Sequence, residues 1–140
     1  MDPRHPVIRV GTVIARRELR TPAGDPVLVE VGFPAYVGDG WDWACPYRIE
    51  GPAGVVTGQA HGIDGLQALQ LVSGTIRGEL ERSGARLLWL GTDFWQAGFP
   101  PLVAAMGERE LEEDLRRQLD EVTKSWLASR AARRAGSDRG

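Results

Sequence analysis

The stretch His61-Gly62-Ile63-Asp64-Gly65-Leu66-Gln67-Ala68-Leu69 decides the fold, because it joins a strand end, a helix cap and a first helical turn. Asp64 is a preferred N-cap residue. Gln67 falls at the third helical position, the spacing of a capping box. The helix is predicted to run to about Arg82 and to stop at Ser83-Gly84. Its apolar stripe is Leu66, Leu69, Val72, Ile76 and Leu80, widened by Ala68 and Leu71. Gly74 and Gly78 cost it about 1 kcal/mol each and are expected to allow close approach to a sheet.

Strands precede this junction. Val13, Ala15 and Leu19 share one face of a strand over Thr12–Leu19. After the turn cluster Thr21–Pro26, Val27, Val29, Val31 and Phe33 form one apolar face of a second strand. Pro34 to Gly40 reads as a loop. Trp43, Cys45, Tyr47 and Ile49 alternate in a third strand, where Pro46 marks an edge or a bulge. The tight turn Gly51–Gly54 leads into a fourth strand, Val55 to His61, with Gly58 and Ala60 on one face. Downstream, Arg86–Leu90 reads as a fifth strand, and Gly91–Pro101 as a loop. A second helix is predicted over about Glu108 to Ala132. The expected fold is α+β: an antiparallel meander of four to five strands, one helix packed on the sheet, and a long C-terminal helix. Residues 1–134 are expected to form a single domain and 135–140 a disordered tail.

At 140 residues the chain has the usual size of one domain and needs no staple to fold. Cys45 is the one cysteine, which excludes an internal disulfide and a Cys-rich zinc site. It suits a reducing compartment. The N-terminus lacks the apolar core of a signal peptide, and the longest apolar runs, Leu87–Leu90 and Leu102–Met106, are far too short for a membrane span. A cytoplasmic location is therefore expected. The segment from Ser129 carries Arg130, Arg133, Arg134 and Arg139 against Asp138, a net +3. The body has 13 basic and 18 acidic groups, a net −5, a poor electrostatic match for nucleic acid.

Chemistry finds little footing. Cys45 and His61 would make a nucleophile and base if their side chains met. Across a turn centred on Pro52-Ala53, however, Cys45 opposes Ala60 and His61 opposes Ala44, so the two point to opposite faces. A buried structural cysteine accounts for Cys45. His61 and Asp64 suggest a base and its orienter, but capping explains Asp64 and leaves His61 as a solvent-facing strand end. The acids Glu108–Asp114 and the terminal arginines suit the second helix's dipole. No catalytic, metal or cofactor residues are assigned.

The aromatic residues are the remaining candidates. Trp41, Trp43, Phe94, Trp95 and Phe99 fall in or beside two loops, and the chain holds five tryptophans. They are read as candidate binding residues if the loops meet, or as a small core that anchors them. On the second helix, Leu111, Leu115, Leu119, Val122 and Trp126 form a narrow seam close to a heptad. That seam packs on the sheet or pairs with a protein partner or a second copy.

Four pieces carry a resemblance: Val13–Leu19, Trp43–Ile49, Gly62–Leu69 and Gly98-Phe99-Pro100. Together they resemble a family of small uncharacterised bacterial proteins over about residues 12–101, and Gly-Ile-Asp-Gly-Leu-Gln-Ala-Leu is the most specific piece. The resemblance implies no reaction. By analogy of size and fold it suggests an immunity or accessory protein, a non-catalytic interaction module. The other reading is a small-molecule-binding domain or enzyme with a pocket between the Trp-bearing loops.

Overall fold

The computed structural model describes residues 6–38, 43–93, 95–100 and 109–137. The chain divides into two compact units, residues 1–103 and 104–140, each described by itself.

In the first unit, β1 (Val13–Arg20), β2 (Pro26–Gly32), β3 (Ala35–Tyr36), β4 (Trp43–Gly51) and β5 (Gly54–Gly62) form one antiparallel sheet. The α+β architecture expected from the sequence is thus the observed one. β1 pairs with β2, and β5 pairs with β4 along its whole length. β2 and β3 share the other edge of β4, β2 against Tyr47–Glu50 and β3 against Trp43–Ala44. Pro46 is therefore interior, neither an edge nor a bulge. It lies where the neighbouring ladder breaks between β2 and β3, a place that tolerates a residue without an N–H.

Other expectations need correction. Ala35–Tyr36 is a short strand inside the expected loop. Phe33 lies beyond β2 and is exposed. A register irregularity lies between Val13 and Ala15 in β1; Ala15 is exposed, and Leu19 alone enters the core. Arg86–Leu90 is not a strand. It contributes one bridge, Arg20 to Leu88, and a tight turn closed by Trp89 and Thr92.

α1 (Gly65–Ser83) packs on one face of the sheet, against β5 and β4. Its buried residues are Ala68, Val72, Ile76 and Leu80, spaced four apart. Leu66 and Leu69 lie outside that stripe and are exposed. The four buried residues meet Leu19, Val29, Cys45, Tyr47, Ile49 and Ala60 of the sheet, together with Leu87 and Phe99. Gly78 makes no close approach, since an added Cβ there would meet only the end of Arg82. Gly62 does make one, as a Cβ would lie 2.5 Å from the Ala68 backbone nitrogen. The Tyr47 ring likewise occupies the space over its cross-strand neighbour Gly58.

The opposite face of the sheet carries a charged row. Arg16, Glu30 and Arg48 are cross-strand neighbours on β1, β2 and β4. Glu30 accepts from Arg16 at 3.1 Å and faces Arg48 Nε at 3.9 Å. Further along, residues 6–10 cover this face. Ile8 N donates to Gln59 Oε1 at 2.9 Å, and Gln59 Nε2 donates to Pro6 O at 3.1 Å.

The second unit contains α2 (Arg109–Ser137). It extends past the expected end at Ala132, and Ala135–Ser137, expected in a disordered tail, are helical. None of its residues is buried.

Candidate functional site

The strand-to-helix junction is built as a cap. Asp64 has extended backbone geometry, and its carboxylate accepts from Gln67 N at 2.7 Å. Gln67 Oε1 reaches back to Ile63 N at 2.8 Å. That is one residue beyond the capping-box partner, the Asp64 N–H, but it satisfies a free N–H in the same way. Asp64 is thus engaged in holding the helix start. Gly84, in the left-handed region at φ 64°, ends the helix.

The supposed catalytic pair does not form. Cys45 opposes Ala60 and His61 opposes Ala44, so the two side chains leave opposite faces of the sheet. Cys45 is fully buried, with Sγ 3.5 Å from the Gly32 carbonyl oxygen. Burial pushes its thiol up from 9.0 to about 11, which keeps it protonated at neutral pH and disarms it as a nucleophile. His61 is half-buried rather than solvent-facing, and its Nε2 lies 3.2 Å from Gln59 Nε2. Among the described residues no three His, Cys, Asp or Glu side chains converge as a metal site. No described helix is long and apolar enough to cross a membrane.

The aromatic candidates separate. Trp41 and Phe94 lie outside the described residues, as does the Trp95 side chain. Phe99 belongs to the core. The Arg17 guanidinium lies over the rings of Phe99 and Trp89, at 4.4 Å and 4.0 Å from their centroids. Arg17 also donates to Ala97 O at 3.1 Å, and Arg77 of α1 donates to Phe99 O at 3.1 Å. Two cations thus fasten the segment Ala97–Phe99 to the sheet and α1, and these residues act as an anchor. Trp126 lies on α2, half exposed, with Arg130 over its ring at 5.1 Å.

Trp43 is different. Tyr36, Trp43 and Gly62 are neighbours across β3, β4 and β5. The Tyr36 and Trp43 rings meet edge to face, with centroids 6.1 Å apart. Gly65 opens α1 directly over the indole, where an added Cβ would lie 3.2 Å from Trp43 Cε3 and 3.6 Å from Pro34 Cβ. Trp43 is consequently half-buried, packed against the core on its inner side. Tyr36 and the chain neighbours of Pro34, Gly62 and Gly65 are apolar and open to solvent: Phe33 is 62%, Tyr36 65%, Ile63 61% and Leu66 66% exposed. Trp43 and Phe99 contact α1 at Gly65 and Arg77, positions about 18 Å apart along its axis.

Sequence reasoning singled out Trp43 but not Tyr36, Phe33, Ile63 or Leu66. The available signal was the phase of α1. Leu66 falls outside the four-residue spacing of Ala68, Val72, Ile76 and Leu80.

A family model described as a domain of unknown function, DUF6968, matches residues 15–101. The chain belongs to the DUF6968 family. The DUF6968 region takes in the cap, α1, Trp43 and its apolar rim, and it ends before α2. No curated protein and no solved structure matches the chain.

Proposed function

We propose that this DUF6968 chain is a non-catalytic protein-interaction module, of the immunity or accessory kind met among small bacterial proteins, acting in the cytoplasm. Its partner docks on the apolar rim around Trp43. The observation that carries this reading is the joint exposure of Phe33, Tyr36, Ile63 and Leu66 beside a half-buried tryptophan. Large apolar side chains gathered at one exposed place mark interaction surfaces. A tryptophan and a tyrosine at the centre are the residue types that dominate binding energy. The rim surrounds a helix start whose cap already fixes its backbone, so little ordering cost remains on binding.

The acidic body, at −5, suits a basic partner by electrostatic steering. Trp41, two positions before Trp43 in the chain, stays in the candidate set by residue type. Phe94, Trp95, Phe99 and Trp126 complete the aromatic set; Phe99 serves through the anchor it forms, and Trp126 through α2. The protonated thiol of Cys45 and the occupied carboxylate of Asp64 weigh against a reaction.

The test is photo-cross-linking in the native host. A photoreactive phenylalanine at Leu66 is expected to give one discrete adduct, and the same residue at Thr57, exposed on β5, none. Equal labelling from both positions, or from neither, would contradict the reading.

A further inference from the structure

The long helix offers a second surface, with chemistry that selects its occupant. α2 buries none of its residues, and Leu119, Val122 and Trp126 are at least half exposed. Leu115, Leu119, Val122 and Trp126 are spaced four, three and four apart, the a/d rhythm of a two-helix seam. Helices in water owe most of their stability to packing of such a face.

Charge decides what packs there. The first turns carry Glu110, Glu112, Glu113 and Asp114 against Arg109, a net −3 over residues 109–114 ahead of Arg116 and Arg117, and the last carry Arg130, Arg133 and Arg134. A second copy laid parallel would bring acid to acid and arginine to arginine. Laid antiparallel, it brings each acidic end to a basic one. The same arrangement fills the seam. Leu115 meets the second copy's Trp126, and Leu119 meets the second copy's Val122, each layer joining one a and one d position. In that register Glu112 comes level with the second copy's Ser129 and Arg130. Arg130 already lies over the Trp126 ring, 5.1 Å from its centroid, at the rim of the layer that the acid approaches.

We infer that α2 pairs antiparallel with α2 of a second copy, making a two-fold dimer through Leu115, Leu119, Val122 and Trp126. The two-fold axis repeats every contact, so the Glu112–Arg130 pair occurs twice. The inference rests on reading the chain as an interaction module and adds the partner for one of its surfaces. The partner of the Trp43 rim stays separate from it.

Sedimentation of the full chain over a range of concentrations tests it. The expected result is a monomer–dimer equilibrium. Val122→Asp, at an exposed position in the seam, is expected to abolish the dimer without changing the unfolding of the first unit. Glu112→Arg alone and Arg130→Glu alone are each expected to weaken it roughly tenfold, since each swap opposes two like-charged pairs. The double swap restores both pairs and is expected to restore the dimer. A monomer at every concentration would overturn the pairing. So would a dimer indifferent to Val122→Asp, or one that the double swap fails to rescue. A monomer that still cross-links through Leu66 would sink this inference alone, whereas loss of the Leu66 adduct from an intact dimer would sink the rim and spare it.

Discussion

Arg17 stands two places before Leu19 on β1 and faces the same side of the sheet, so a cation enters the edge of an apolar core. Its guanidinium is accommodated because it lies over two rings and the Ala97 carbonyl accepts from it. Arg17→Ala should cost about 2 kcal/mol in urea unfolding, from lost ring contacts and one hydrogen bond. Arg17→Lys should recover little, because an ammonium lacks the flat face that stacks. Cys45 makes a pH prediction. Its folded thiol titrates at about 11 against an ordinary 9.0, so the folded state holds the proton more tightly than the unfolded chain. That contribution is complete below pH 9.0 and is lost as the pH rises toward 11. Burial and then Glu79 raise Tyr47 in the same direction. The urea midpoint should therefore fall through this window, and Cys45→Ala should flatten part of the fall. Folded protein should also resist a maleimide at neutral pH. The opposed faces of Cys45 and His61 were legible in the sequence, because strand alternation is a backbone property. The Arg17 stack was not, since it joins residues 80 apart in the chain.

α1 carries the clearest lesson at the scale of the element. Its start and stop were readable, because the cap and Gly84 act locally. Its buried face was misread by part of a turn, with Leu66 and Leu69 counted as core. What sets the rotation of the helix lies across the chain: Trp43 beneath Gly65, and the backbone contact at Gly62. Ile76→Ala, in the buried stripe, should cost about 2–5 kcal/mol. Leu66→Ala, on the exposed side, should stay within about 0.5 kcal/mol. Equal losses in urea unfolding would return Leu66 to the core. Gly58→Ala should cost about 1–3 kcal/mol, because the new methyl displaces the Tyr47 ring. The interior place of Pro46 was hidden for a similar reason. The sequence marks a missing donor, but only the pairing reveals that β2 gives way to β3 beside it.

For the whole molecule, composition and periodicity were enough to read an α+β fold, because both report on burial averaged over many residues. The interaction surface was only half legible. Trp43 stood out by type, whereas Tyr36 gains meaning from its contact with Trp43, and Ile63 and Leu66 from flanking the junction that β4, β5 and α1 build over that ring. The central claim is that these residues are apolar for docking rather than for folding. The most direct measurement places a photoreactive phenylalanine at Tyr36 and compares adduct yield in the native host with and without Leu66→Asp. The account predicts a discrete adduct that Leu66→Asp removes while the urea midpoint stays unchanged. An adduct that survives the substitution, or a midpoint that collapses with it, would contradict the account.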